Sequence, residues 1–474
     1  MIPLVQFPTL IERYAAHFSD FFKPSEHAHF KEYLSGLLVG DNKTVSGISR
    51  LFLMDGKPDQ STLNRFLTQS EWSFRQLNAL RVKWMQECEQ TRFKTRPLQS
   101  GGVLVLDDTL LKHVGRHFEH IAYLYDHVEK RYVWAHNLVN LLYSDQQTEY
   151  PIDFSLWRPA QADFLEQALS LSGVPISEKR REALQVKSPG KWRSYLVQLA
   201  GGHQDKDSVQ LAYQSKLTLA KLLLERFYAD WPELDLPVTF DSWYASAWFC
   251  KWIDAQGKAY VATLKSDLQV LSEENRLLPL SEWAAQLRAK ALANPQQSPF
   301  KPLSIHYRGT QQTAYVLCQS RFLKGFGRLR IVVRYHNKEL EGEPLFYASN
   351  QLHWNENTIC QIARHRWPVE VYHQEGKRQG LEQYRLRDFG ATEKHVALVA
   401  MLYSMLQRAC SDAQLKGQLH ASLKQEVQGC LPQWRRVFVA SALLALFHWA
   451  AAQVQDGKPI DEVFNPICQA ILHH

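Results

Sequence analysis

Two short apolar runs, each followed by an aspartate, constrain this chain more than any other feature. Val103-Leu104-Val105-Leu106 gives way to Asp107-Asp108-Thr109, and Val238-Thr239-Phe240 gives way to Asp241. Such runs, bounded by polar residues, read as strands covered on both faces in the middle of a sheet. Residues 121–125 and 132–142 add two strands after the first run, joined by a charged turn around 126–130 to make a meander. A helix near 245–255 and a strand at 260–264 follow the second run, which completes an α/β pattern. In an open sheet, residues at the carboxyl ends of strands line the functional crevice. Two aspartates on adjacent strands repel each other unless a divalent cation lies between them. Taken singly, each aspartate equally suits a turn or a helix cap.

The 474 residues are more than one compact domain needs. Residues 1–97 have helical periodicity throughout. Within them, 44–52, the turn Met54-Asp55-Gly56-Lys57-Pro58 and 61–67 have the outline of a helix-turn-helix, with Ser61 placed as cap. A plain helical hairpin has the same outline. Pro97 and Gly101-Gly102 punctuate the change to the α/β core at 98–265, in which 162–171 and 211–228 are helical and 178–208 is polar, basic and exposed. Strand-like runs at 303–307, 313–318 and 329–335 mark 266–342 as a β-rich insertion. The core resumes over 343–410, with a strand at 345–348 and a helix starting near Asn355 or Glu356, and 411–474 forms a helical C-terminal region suited to dimerisation.

With 45% hydrophobic and 22% charged residues the chain is not a disordered one. Seven scattered cysteines, without a Cys-x-x-Cys pair, argue against a disulfide framework or a structural zinc site and for a reducing cytoplasm. The N-terminus has no basic segment before an apolar stretch, unlike a signal peptide. Residues 437–452 are apolar but short, and contain Ser441, His448 and Trp449, so a buried helix rather than a membrane span is expected. Lys and Arg exceed Asp and Glu by 55 to 48, a net +7 that favours a polyanionic partner.

A third segment joins the two aspartates. At about 100° per residue, Arg366, Glu370, His373 and Lys377 form one polar strip within roughly 60° of a helix. Ile362, Val369 and Tyr372 form the adjoining apolar stripe, and Pro368 predicts a bend in mid-helix. Between 362 and 387, Arg364, Arg366, Lys377, Arg378, Arg385 and Arg387 outnumber Glu370, Glu375 and Glu382, a balance that suits phosphodiester chemistry. An ion-paired surface helix has the same spacing. His113, His117 and His120 are close in sequence, but no Cys or Glu completes a zinc set, and Cys360, His365 and His373 lack zinc-ligand spacing.

On these residues the chain resembles the DDE transposases of bacterial insertion sequences, in the branch with a tyrosine–arginine–glutamate–lysine motif. The resemblance rests on Asp107-Asp108-Thr109, on Phe240-Asp241-Ser242-Trp243-Tyr244, and on Arg366-x3-Glu370-x6-Lys377 across an intervening β-rich insertion. It covers about residues 100–410 and includes Gly380-Leu381-Glu382 and the helix at 395–407. The branch's tyrosine, three residues before the arginine, is Ala363 here. The phosphate and flipped-base contact made by that tyrosine in relatives, and the DNA-hairpin intermediate tied to it, therefore do not follow for this chain.

The resemblance implies an α/β fold with a ribonuclease H-like core carrying a β-rich insertion and flanked by helical N- and C-terminal regions. It implies a homodimeric DNA transposase of the bacterial cytoplasm, associated with the nucleoid, that cleaves transposon terminal inverted repeats and joins them to target DNA. Asp107, Asp241 and Glu370 would hold two Mg²⁺, for which Mn²⁺ could substitute, and Arg366 and Lys377 would bind DNA phosphates. Asp107 is preferred to Asp108 because it directly follows the apolar run, although the choice stays open. The helical N-terminal region would recognise the inverted repeats. Arg321, Lys324, Arg328 and Arg330 either grip the cleaved end or form a solvated face. The rival functions are a metal-dependent nuclease of the same fold without strand transfer, and a domesticated DNA-binding protein without catalysis. A two-carboxylate glycosidase is disfavoured, since a glycosidic bond offers nothing for the Arg and Lys strip to neutralise.

Overall fold

A computed structural model describes residues 2–53, 58–86, 102–145, 148–185, 188–203, 206–307, 310–423 and 431–472. The chain divides into two compact units, one comprising Met1–Asp107, Asn140–Asp153 and Trp231–His474, the other Asp108–Val139 and Phe154–Asp230.

The first unit is built on a mixed sheet. Its strands include β1 (Val103–His113), β3 (Arg131–Ser144) and β4 (Glu149–Trp157), which contribute residues to both units, and β5 (Val238–Phe240) and β6 (Tyr260–Thr263). The order is β4-β3-β1-β5-β6, and β5 runs parallel to both of its neighbours. Leu104, Leu106, Val238 and Phe240 are wholly buried, as a central strand pair covered on both faces requires. The crossover from β5 to β6 is the helix Ala247–Ala255. The Ser246 side chain caps it by accepting from Phe249 N–H, and Phe249, Cys250 and Ile253 are buried on its inner face.

β1 does not stop at Asp107, as the loss of apolar character suggested, but continues to His113. Continuous burial, not strand structure, ends at that point: residues 103–106 are buried, Asp107 through Leu110 are half-buried, and Leu111 is buried again. Backbone pairing needs no apolar side chain, so the composition marks where the strand leaves its cover.

The insertion extends the same sheet antiparallel. β12 (Leu345–Ser349) pairs with β6 on one side and with β11 (Gly327–Tyr335) on the other. β10 (Thr310–Leu323) follows, paired with β9 (Lys301–Tyr307) and with β7 (Gln269–Leu271), which is joined in turn to β8 (Leu277–Pro279). The strand-only expectation omitted the helix Leu280–Ala293, whose Leu280, Trp283, Ala284, Leu287 and Ala291 are buried.

The helix Phe389–Ala409 is apolar nearly all round, with sixteen of its 21 residues buried. Such a helix needs cover on every side. The helices Pro24–Val39, Gln60–Thr68, Phe74–Gln86 and Leu431–Gln455 pack on it. In the expected helix-turn-helix the first helix is short, Val45–Ser49, capped by Thr44. The second is Gln60–Thr68, and Asp59 rather than Ser61 occupies its N-cap, with the Ser61 hydroxyl hydrogen-bonded to the Asp59 carboxylate. Residues 54–57 of the expected turn lie outside the described residues.

Leu431–Gln455 departs from the expectation of a buried helix. Trp434, Phe438, Ala442, Leu446 and Ala450 form one buried stripe, but only 22% of its most apolar window is buried, and Phe447 is 60% exposed. Among the described residues it is the one helix long and apolar enough to cross a membrane.

The second unit contains β2 (Ala122–Asp126), paired antiparallel with β3, and the helices Ala162–Leu171, Glu178–Gln185, Pro189–Gly201, Asp207–Ala212 and Lys216–Asp230. The stretch 178–208, expected to be exposed and polar, supplies much of this unit's core. Trp192, Leu196 and Ala200 recur at four-residue spacing on the helix Pro189–Gly201 and pack with Leu165, Leu169 and Val209. The abundant charges around these few apolar positions concealed the stripe. Leu196→Ala is expected to cost about 2–5 kcal/mol, read as a lower urea midpoint, whereas an exposed site would cost under about 0.5 kcal/mol.

Candidate functional site

The pairing of β1 with β5 places Leu106 opposite Phe240, so Asp107 and Asp241 are the next residues on two adjacent parallel chains. Neighbouring strands lie about 4.8 Å apart, which brings the two aspartates to one edge of the first unit's sheet. Asp241 accepts through Oδ1 from the N–H groups of Trp243 (3.0 Å) and Tyr244 (3.3 Å). It therefore does build the turn that any aspartate after a strand might build, and this turn fixes its carboxylate. Oδ2 is the candidate metal-ligating oxygen.

Glu370 comes from a helical pair rather than from one bent helix. Glu356–Arg364 is capped by Asn355, whose side chain accepts from Thr358 N–H, and the chain breaks at His365 and Arg366 before Trp367–Arg378 begins. Pro368 lies in the first turn of this second helix, where its missing N–H costs nothing, and does not bend a helix interior. The apolar stripe is as expected, with Val369 and Tyr372 wholly buried and Ile362 9% exposed.

Arg366 joins the segments. Its Nη1 is 3.8 Å from Asp107 Oδ2 and its Nη2 is 3.4 Å from Glu370 Oε1. Two carboxylates 263 residues apart in sequence thus share one guanidinium, an arrangement beyond an ordinary i, i+4 helix pair. The Asp107 side chain is 16% exposed and that of Glu370 42%, so the cluster opens to solvent on the glutamate side. Lys377 pairs with Glu382 at 3.4 Å. Among the described residues no three of His, Cys, Asp and Glu are gathered closely enough to hold a metal ion as they stand. The donor set nevertheless suits a hard cation: carboxylate oxygens from separate elements, two of them already bridged by a positive group.

The fourth member of the expected strip turns inward. His373 is 9% exposed, and its Nε2 accepts from Asn140 Nδ2 at 3.0 Å, while His365 Nδ1 is 3.0 Å from Ser144 Oγ. The helix with Glu370 is thereby fastened to β3. Asn140 and Ser144 were missed from sequence, although two polar residues at even spacing within the apolar run of β3 signal one face with a polar task.

Asp108 is differently engaged. Successive strand residues project to opposite faces, and in the second unit Asp108 Oδ2 accepts from Asn137 Nδ2 (2.6 Å) and Lys216 Nζ (2.9 Å). His113 stacks on Phe118 with ring centres 4.3 Å apart. In the insertion, Arg321 pairs with Glu273 and Arg330 Nε donates to the Trp354 carbonyl.

Just beyond the Glu370 helix, Gly380 has φ +102°, and a Cβ there would come 2.7 Å from Lys43 Cδ. Its carbonyl accepts from His395 Nε2 (2.9 Å), and His395 Nδ1 in turn accepts from the Tyr33 hydroxyl (2.8 Å). Both ring nitrogens are used in the neutral form, and burial pushes His395 down to about 4.

A family model described as DDE superfamily endonuclease matches residues 17–301, more than half of the chain, and a second, described as transposase DDE domain, matches residues 208–405. The chain belongs to the DDE superfamily. The mixed sheet is therefore the ribonuclease H-like core of a transposase-type nuclease, and its helical termini and added strands are elaborations of that core. Asp107 and Asp241 fall within the first matched span, and Asp241, Arg366, Glu370 and Lys377 within the second. DDE nucleases generally use divalent metals, and transposases bind DNA. No curated protein matches the chain.

The His395 contact has a pH consequence. A histidine whose folded pKa is depressed takes up its proton first in the unfolded chain, so stability is full above pH 6.5 and falls as pH drops toward 4. A loss of roughly 2–3 kcal/mol across that window is expected from this group alone. Urea midpoints for His395→Gln should fall less between pH 7 and pH 5 than those of the parent protein.

Proposed function

We propose that the chain is a cut-and-paste DNA transposase that cleaves the ends of its transposon and joins them to target DNA, working as a homodimer on two terminal inverted repeats. The observation that supports this best is the convergence of Asp107 and Glu370 on Arg366, with Asp241 in register beside Asp107. In this reading Asp107, Asp241 and Glu370 hold two Mg²⁺, or Mn²⁺ in their place. When bound, such a metal pair activates a water or a 3′-hydroxyl and neutralises the departing oxygen in an in-line displacement at phosphorus.

The chain's own residues orient the substrate. Asp107 rather than Asp108 serves as ligand, because Asp108 is engaged by Lys216 and Asn137. Arg366 offers a planar fork for two phosphate oxygens, and Lys377 offers a compact point charge three helical turns further on. The turn amides of Trp243 and Tyr244 hold Asp241 in place before substrate arrives. In each step the attacking oxygen forms a bond to phosphorus as the P–O bond to the leaving 3′-oxygen breaks; the proton of the attacking hydroxyl passes to solvent, and the leaving oxygen takes a proton from solvent to become a 3′-hydroxyl. Cleavage uses water and joining uses the freed 3′-hydroxyl, so one pocket serves both reactions.

Incubation with inverted-repeat DNA and Mg²⁺ or Mn²⁺ should release cut ends, and a target plasmid should then acquire them. Asp107→Asn, Asp241→Asn and Glu370→Gln should each slow cleavage by about 10³-fold or more, with Asp108→Asn remaining within about tenfold of the parent. Unchanged cleavage in the first three would refute the assignment. Cleavage without plasmid joining would identify a nuclease of the same fold.

A further inference from the structure

The guanidinium of Arg366 contacts two of the proposed metal ligands, 3.8 Å from Asp107 and 3.4 Å from Glu370. A cation bound by the same oxygens would meet a positive charge at contact distance. Arg366 in turn offsets the repulsion between two carboxylates that share it. The arginine side chain is 34% exposed, so it has room to swing outward, and it occupies the position just before a helix, outside the regular hydrogen-bond ladder.

We propose that Arg366 is an internal counter-cation that competes with the divalent metal and is drawn off by the DNA backbone, so that metal loading and DNA binding reinforce each other. Before DNA arrives, the arginine keeps Asp107 and Glu370 together and lowers their affinity for metal. A phosphate offers the guanidinium a bidentate partner, and its two single, long contacts to carboxylates are exchanged for that stronger one. The vacated oxygens are then available to the metal. The device guards against hydrolysis in the absence of DNA, since the site fills readily only when a phosphodiester is present. This rests on the assignment of Asp107 and Glu370 as ligands, and goes beyond it in giving Arg366 an action on metal affinity as well as on phosphate.

The test is Mn²⁺ binding to the full-length protein, followed by titration calorimetry and by the electron paramagnetic resonance of free Mn²⁺. Without DNA, Arg366→Gln should bind Mn²⁺ about tenfold more tightly than the parent. Addition of a short duplex lacking the inverted repeat should tighten Mn²⁺ binding to the parent and leave Arg366→Gln unchanged. Arg366→Lys, which keeps the charge but loses the fork, should stay near the parent without DNA and gain less from the duplex. Circular dichroism confirms that each variant is folded. If Asp107→Asn and Glu370→Gln abolish Mn²⁺ binding while Arg366→Gln weakens it or leaves it unaltered, the competition is refuted and the site stands. If Asp107→Asn and Glu370→Gln bind Mn²⁺ as the parent does, the site assignment itself fails.

Discussion

The parallel pairing of β1 with β5 is the constraint on which the candidate site depends. Leu104, Leu106, Val238 and Phe240 are all fully buried, and Val103, Val105 and Thr239 are buried on the opposite face of the same pair. A shift along the strands that carried one of these side chains out of that cover would cost about 1.5–3 kcal/mol for each large side chain exposed, which fixes the register. With the register fixed, the two residues after Leu106 and Phe240 emerge side by side, and both are aspartates. The sheet needs no interaction with the carboxylates to place them. It places them because of what precedes them.

The third acid is positioned by different forces. Val369 and Tyr372 bury one side of its helix, and Tyr372 lies edge-on to Tyr403 with ring centres 4.9 Å apart. His365 and His373 add directional hydrogen bonds to Ser144 and Asn140 of β3, which set how far along the strand the helix sits. Apolar packing permits sliding, whereas a pair of hydrogen bonds eight residues apart on the helical segment does not. At the other end of the helix, Gly380 allows the close approach of Lys43 and is held by His395 and Tyr33. Glu370 can stay 42% exposed, and so accessible to a substrate, because its neighbours do the anchoring.

Charge compensation completes the arrangement. Carboxylates gathered at one edge are unstable alone, and in this chain they are met by Arg366, as Asp108 is met by Lys216 within the second unit. The two adjacent aspartates of β1 therefore sit in distinct electrostatic settings, one facing the Arg366 guanidinium at 3.8 Å and the other held at 2.6–3.1 Å by two donors.

The sequence by itself determined the local elements and the chemical inventory. The two apolar runs, the helical periodicity of the termini, the acids after Leu106 and Phe240, and the Arg366–Glu370 spacing could all be read directly, because each depends on neighbours within a few residues. Only the tertiary structure decided which groups meet. The extension of β1 past Asp107, the break at His365 and Arg366, the inward turn of His373 and the burial of Trp192 all depend on partners tens or hundreds of residues away. The same holds for the exposed flank of Leu431–Gln455, since a stripe of apolar residues states that a helix prefers cover but not whether cover is supplied. Periodicity reports preference, while contact requires two surfaces, and the second lies elsewhere in the chain.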